Sequence, residues 1–279
     1  SSIVQLDAWN WEDATVKTND GIHLNWPRSY SRAGWWAEPG GIEMNKNYEP
    51  QIKAIQEYFD NAFAYLGSKN AKKDIPYEAM KGLQSGEKTL YINANGEKEI
   101  IDAVLFKKKN DIKKMVIVGG FYAFKVASLL KENNVAVLLN RVHSLPLLED
   151  QDVNLPYKNA KLLVDAGVLV ALQNAGDMER MQTRNLPFYA GTCAAWGLTK
   201  EQALQLITGN SAKILGIDSQ YGTLETGKSA TLFISEGDAL DMKSNVISFA
   251  FIDGRQISLD SHHTELYQRY KGKFEQQKK

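Results

Sequence analysis

A single cysteine, Cys193, stands among the 279 residues, so no disulfide can form within the chain. Its setting, "YAGTCAAWGL", is a small-residue helix pattern with no histidine nearby in sequence. It reads as a buried packing residue and not as a nucleophile. No apolar run approaches the roughly 20 residues of a membrane span, and no stretch reads as a signal peptide. Excess charge is missing too: Lys plus Arg and Asp plus Glu both number 33. Nothing therefore draws the protein toward nucleic acid or an anionic membrane surface. The basic clusters "FKKKND" and "EQQKK" are short and read as solvated loop and tail. These absences leave the compartment open.

What remains is an ordinary globular composition, 43% hydrophobic and 24% charged, long enough to bury a large core. One large domain or two unequal ones are expected. Trp9, Trp11, Trp26, Trp35 and Trp36 crowd the first 36 residues, as a ligand wall or as packing and loop anchors. The opening "SSIVQLDAWNWED" begins in mid-strand and reads as a piece cut from a longer precursor.

"NYEPQIKAIQEYFDNAFAYLGS" is an amphipathic helix. Ile52, Ile55, Phe59, Phe63 and Leu66 fall at helical spacing, and Gly67 is the stop. "PYEAMKGLQSGE" is a second, shorter one. A rhythm of strand and helix follows: "KTLYINA" and "EKEIIDAVLFKKKN", then "KKMVIVGG" and "YAFKVASLLKENN". "VAVLLNR" and "PYKNAKLLVDAG" come next, then "VLVALQN" and "LPFYAGTCAAWG". Short apolar strands joined by helix-length crossovers predict βα units around a parallel sheet, open or closed. Four units make about half of a (β/α)₈ barrel. "TKEQALQLITGNSAKILG" predicts one further helix, with Thr199 as N-cap and Gln202 at the capping-box position. Beyond Gly216, "YGTLETGKSATLFISEGD" and "VISFAFIDGRQIS" predict a small β-module. "TELYQRYKGKF" predicts a closing helix.

The tail carries a family likeness. "GLTKEQALQLITGNSAKILGI", "GTLETGKSATLFISEGDAL" and "VISFAFIDGRQI" together resemble the C-terminus of the amidohydrolase superfamily, in particular its imidazolonepropionase-like branch. Lys228, Ala230, Leu232, Asp253 and Gly254 fit the family wording, and Thr231 stands where Asp is usual. The resemblance implies an α/β fold: the C-terminal half of a metal-dependent-hydrolase-type (β/α)₈ barrel plus a small β-sandwich module. The barrel part would span 1–216, the sandwich part 217–260 and a C-terminal helix and tail 261–279. It also implies a divalent metal such as zinc, which polarises a carbonyl and generates hydroxide. In the family that metal is held by a His-x-His pair, often a carboxylated Lys or a Glu, His residues ending the fifth and sixth strands, and an Asp ending the eighth.

Carried onto this chain, the ligand set is thin. No His-x-His occurs. Asn93 stands at the fifth-strand position and Gly119 or Gly120 at the sixth; amide oxygen is a poor zinc ligand and glycine offers no side chain. Gln173, Asn174 and Ala175 occupy the eighth-strand neighbourhood. Asp177 lies slightly beyond, as a displaced ligand, a base, or the cap of the turn before Met178. His143 ends the seventh strand, as a pocket residue or a hydrogen-bonded structural one. Arg141 shares its side of the strand. His23 ends an earlier strand, while His262 and His263 read as surface residues. Asn93, Asn95, Arg141, Arg184 and Asn185 are candidate substrate contacts, and Asp177 and His143 candidate catalytic groups. "VGGFYAFK" offers either backbone N–H groups for an anion or plain turn geometry.

Three functions compete. One is a hydrolase of non-peptide C–N bonds, acting on a cyclic amide or an amide, with its metal held mainly outside this chain. Another is an inactive barrel that binds a small ligand or a partner. The third is metal-free chemistry through Asp177, His143 and Arg141. A half barrel exposes apolar edges, so a partner chain or an N-terminal half is expected against it.

Overall fold

Leu90, Ile92, Met115, Ile117, Val137, Leu139, Val170 and Leu172 are almost fully buried in one core. They alternate along four short strands, and that alternation sets the architecture. The computed structural model describes residues 1–277 except 36, 70, 71, 141, 147, 149 and 177.

The chain starts with strand β1 (Ile3–Val4), the one-turn helix α1 (Trp11–Ala14) and β2 (Thr15–Lys17), which pairs antiparallel with β1. Strand β3 (Gly21–Asn25) follows, then a hairpin of β4 (Tyr30–Trp35) and β5 (Glu38–Met44). Helices α2 (Tyr48–Gly67) and α3 (Ile75–Ala79) lead to the βα rhythm. It runs β6 (Thr89–Ala94), α4 (Glu97–Lys109), β7 (Lys114–Gly119), α5 (Ala127–Glu132), β8 (Ala136–Leu139), α6 (Leu155–Asp165), β9 (Val170–Leu172) and α7 (Leu186–Ala195). Then come α8 (Lys200–Gln205), α9 (Gly209–Leu215), strands β10 (Leu232–Ser235), β11 (Ile247–Ile252) and β12 (Arg255–Gln256), and helix α10 (His262–Gln276).

Strands β3, β6, β7, β8 and β9 form one parallel sheet in that order. The order follows the chain with no reversal, the β4–β5 hairpin between β3 and β6 forming a sheet of its own. Phe59 and Ala62 of α2, Ile100 and Val104 of α4, Leu130 of α5, Leu163 of α6 and Ala190 of α7 all join the core on one face. The opposite face holds a smaller cluster of Tyr91, Val116, Ala171 and Ile214, with Val118, Ala136 and Leu138 only partly covered. A doubly wound sheet would reverse its strand order and carry helices on both faces; this one is wound one way.

Helix α4 shows why such a unit holds its shape. Glu97 and Glu99 lie in its first turn and Lys107, Lys108 and Lys109 in its last, opposing the helix dipole at both ends. The basic cluster is thus a helix terminus. The buried Glu99 carboxylate accepts from the N–H of Gly96 at 2.8 Å and from the N–H of Ser29 at 2.8 Å. One side chain therefore ties the loop after β3 to the loop after β6.

Two expectations change. The predicted single helix over 199–216 is two, α8 and α9. Thr208 leaves helical geometry, with φ −128° and ψ −95°. The reason lies at the outer edge of β9. Leu206 O accepts from Leu172 N–H at 2.9 Å, and Asn210 Nδ2 donates to Val170 O at 2.9 Å. Breaking the helix frees both groups to cap a strand edge. The tryptophans also divide: Trp26 is buried and donates through Nε1 to Tyr48 Oη at 3.1 Å. Trp9, Trp11 and Trp35 are exposed, so they are not part of the core, and Trp36 lies outside the described residues.

The tail forms the three-stranded antiparallel sheet β10–β11–β12. Its tight turn places Asp253 at φ 47° and Gly254 at φ 79°, the left-handed pair a two-residue hairpin loop needs. Gln5 Nε2 donates to Asp253 at 2.9 Å, and Arg255 pairs with Asp7 at 3.0 Å. The two ends of the chain therefore meet here. Among the described residues no helix is long and apolar enough to cross a membrane.

Candidate functional site

The C-terminal ends of the parallel strands are where side chains of different units converge. Asn25 and Asn93 are direct register partners on β3 and β6, and Asn93 in turn faces Val118. Ile92 and Ala94 point into the helix-covered core while Tyr91 points the other way. Alternation therefore puts Asn93 on the open face. His23 stacks on the Tyr91 ring there, centroids 4.7 Å apart and planes 13° from parallel, and Asn25 follows His23 by one strand period.

The ladder continues past the strands. Trp26 N–H donates to Asn93 O, Asn140 N–H to Gly119 O and Gln173 N–H to Leu139 O. Asn140 and Gln173 thus extend the faces of Leu138 and Ala171, which are register partners. The carbonyl of Asn140 is buried without a partner, and Gln173 accepts the N–H of Ala175. Side-chain amides stand at four of the five strand ends. Asn25 and Asn140 escaped the sequence reading. Their signal is the alternation "HLN" and the last residue of "VLLN", but only the register shows which strands they neighbour.

The glycine loop after β7 is a turn and not an anion site. Gly119 and Gly120 have φ of 101° and 65°. Gly120 N–H donates to Ala94 O, Tyr122 N–H to Asn95 O and Phe121 N–H to Asn95 Oδ1, so those donors are spent inside the protein. A Cβ on Gly119 would meet Asn95 Oδ1 at 2.6 Å. Asn95 is thereby bound into the junction between the β6 and β7 loops.

His143 packs onto the helical layer. Its ring lies against Tyr189, centroids 4.6 Å apart, and its Nε2 is 2.6 Å from Thr192 Oγ1. Thr192 gives its hydroxyl proton to Phe188 O, so the imidazole Nε2 carries the hydrogen and Thr192 accepts it. Partial burial lowers the His143 pKa below the usual histidine value. The loop holding His143 is thus fixed to α7. Arg184 is exposed in the 3₁₀ turn 179–185, and half-buried Asn185 directly precedes α7. Arg141 and Asp177 lie outside the described residues. His262 and His263 open α10 and are exposed, as expected.

Beneath the amides, Tyr91 donates to the buried Asp20 carboxylate at 2.6 Å, and Lys17 pairs with Asp20 at 2.7 Å. This network closes the N-terminal end of the sheet. His23 lies on it with its pKa lowered, chiefly by desolvation.

The sequence model of the amidohydrolase family matches residues 97–257, more than half of the chain. The chain belongs to the amidohydrolase family. Within it the likeness lies with the imidazolonepropionase-like branch. The chain is 30% identical over 112 residues to an imidazolonepropionase of Flavobacterium psychrophilum, covering 38% of this chain and 27% of that protein. It is 35% identical over 119 residues to amidohydrolase tasK of Hapsidospora irregularis, covering 39% of this chain and 12% of that protein. The matched stretch thus spans about a quarter or less of these relatives. Among solved structures, an amidohydrolase from Thermotoga maritima superposes with a TM-score of 0.73 at 21% identity, over 92% of this chain and 67% of that one. That likeness shows a shared fold.

For an amidohydrolase-family chain, the donor set at the strand ends is unusual. The family's metal asks for imidazole and carboxylate. Asn25, Asn93, Asn140 and Gln173 offer neutral amide oxygens, and Gly119 offers none. Among the described residues no group of three or more His, Cys, Asp or Glu side chains comes together to hold a metal ion. These residues do not fit the metal.

Proposed function

We propose that this chain is the C-terminal half of an amidohydrolase-type (β/α)₈ barrel in a protein of the C–N hydrolase class. The class covers cyclic amides and other non-peptide amides. In this chain's share of the site the metal positions are degenerate. The one-way strand order supports the half barrel, and so does the lighter cover of the sheet's second face, where α9 contributes Ile214 and Leu215 but Val118, Ala136 and Leu138 are only partly covered: that is the face further strands would cover. Residues 1–216 make up that part. The sheet β10–β12, within 217–260, is the chain's share of a β-sandwich, and 261–279 is a helical tail.

The observation that carries the reading is the amide row. Where the family resemblance implies histidines, Asn93 is the last residue but one of β6 and Gly119 the last of β7. In this reading Asn93 and Asn95 hold an amide-type ligand by hydrogen bonds, with Arg184, Asn185 and Arg141 as further contacts around it. Asp177 and His143 are the acid–base candidates. The His143 geometry makes its Nδ1 the nitrogen left to accept a proton. A second reading, an inactive barrel that only binds, is favoured by the same amides.

A hydrolysis panel separates the two. The protein is assayed on lactams, cyclic imides and ureides, with and without added zinc or manganese. Turnover that depends on metal supports hydrolysis with ligands from outside this chain. Ligand binding with no turnover under either condition supports the binder.

A further inference from the structure

We propose that Asn95–Gly96 is a primed deamidation site that the Glu99 carboxylate holds shut. It is a modification site of the chain itself, and it does not depend on which ligand the strand ends take.

The sequence holds one Asn–Gly pair, in "INANGEKE". Asn–Gly is the pair most prone to deamidation, because no Cβ on the glycine hinders the approach of its nitrogen to the asparagine side chain. Gly96 N bonds to Asn95 Cγ, and a cyclic succinimide forms. The backbone N–H proton is given up to water, and the side-chain nitrogen leaves as ammonia. Water then opens the ring at either carbonyl, giving isoaspartate or aspartate. Water is the only co-reactant, and Asn95 is exposed to it.

Two contacts prime the site. Phe121 N–H donates to Asn95 Oδ1 at 3.3 Å, on the oxygen where negative charge grows during the attack. Tyr122 N–H donates to Asn95 O at 3.0 Å. That carbonyl belongs to the same peptide as Gly96 N, so the bond favours loss of the Gly96 proton.

One contact closes it. Gly96 N–H is buried and donates to Glu99 Oε2 at 2.8 Å. The nitrogen must lose that proton before it attacks, so the bond must break. The carboxylate beside it also opposes the negative charge that results. Glu99 is itself fixed: its other oxygen accepts from the Ser29 N–H at 2.8 Å and the Ser29 hydroxyl at 3.2 Å. A Cβ on Gly96 would meet Glu99 Cδ at 2.7 Å. The carboxylate therefore reaches this N–H only across a glycine. The residue that admits the lock is the one that makes the bond labile. Once the lock opens, isoaspartate adds a methylene to the main chain between β6 and α4. Either product brings a negative charge to the junction of the β6 and β7 loops.

The test incubates the protein at mildly alkaline pH and follows the tryptic peptide 89–98, bounded by Lys88 and Lys98, by mass shift and isoaspartate content. Asn93, followed by Ala94, is the internal control in the same peptide. Glu99→Ala, held well below its unfolding midpoint, should deamidate at Asn95 about ten- to hundredfold faster than folded wild type, the worth of one hydrogen bond to a charged acceptor. Tyr91→Phe, which destabilises the sheet without touching Gly96, should keep the wild-type rate. If Glu99→Ala fails to fold, Glu99→Gln serves, with a smaller gain because its neutral amide removes only the opposing charge. Equal rates in wild type and the folded Glu99 variant overturn the inference. So does folded wild type deamidating at Asn95 as fast as protein held in urea. An equal gain in Tyr91→Phe also overturns it, since general loosening would then be the cause.

Discussion

Loss of the buried Glu99 carboxylate should cost this fold heavily. Glu99 is 3% exposed, yet its carboxylate serves the N–H groups of Gly96 and Ser29, both at 2.8 Å, and the Ser29 hydroxyl at 3.2 Å. Glu99→Ala removes every acceptor and leaves two backbone donors without one. An unmet buried donor costs about 1–3 kcal/mol. The hydroxyl can turn elsewhere, and water entering the vacated space relieves part of the penalty. A loss of about 3 kcal/mol results, a large share of the roughly 5–15 kcal/mol that holds a domain. Glu99→Gln keeps one acceptor but turns an NH₂ toward a donor, so about 2 kcal/mol is expected. Urea unfolding followed by circular dichroism reads both. With a slope of about 3 kcal/mol per molar, Glu99→Ala should move the midpoint down by about 1 M. A shift below about 0.2 M would mean that the two strand-end loops are not held together through this carboxylate.

Three more outcomes follow from single contacts. Tyr91→Phe deletes the donor to buried Asp20 while Lys17 remains; a loss of about 2 kcal/mol in thermal unfolding is expected, and an unchanged Tm would refute it. Burial pushes the Cys193 thiol up to about 12, so iodoacetamide at pH 8 should leave the native protein untouched and label it once in denaturing urea; native labelling at the unfolded rate would contradict the packing. His143 is held below its ordinary pKa by burial, so the unfolded chain takes up the proton more readily. Its stabilising share is full above the unfolded value of about 6.5 and is lost as pH falls through the folded one. An NMR titration should place the His143 midpoint below 6.5 with the proton on Nε2, and a midpoint at or above 6.5 would refute it.

The βα rhythm was legible because each strand is a short apolar run and each crossover a helix-length one. Fully buried parallel strands and amphipathic helices leave those signatures. The Thr199–Gln202 capping box was legible for the same local reason, and both of its hydrogen bonds form. The break at Thr208 was not, because its cause is remote: the outer edge of β9, some 35 residues earlier in sequence, takes Leu206 O and Asn210. Asn93 was found as a strand-end residue from its place in "YINAN". Asn25 was missed because its meaning depends on pairing with Asn93 across the crossover of β4, β5, α2 and α3. His143 read as either a pocket or a structural residue, and only the Thr192 contact shows which way its Nε2 is turned.

The central claim is that amides have replaced metal ligands at the ends of β6 and β7. The most direct measurement is the metal content of the protein, purified after expression with zinc, iron and manganese supplied and then passed through a mild chelator. The account predicts far less than one metal ion per chain and an unaltered circular dichroism spectrum. About one tightly held ion per chain, lost only on unfolding, would contradict it.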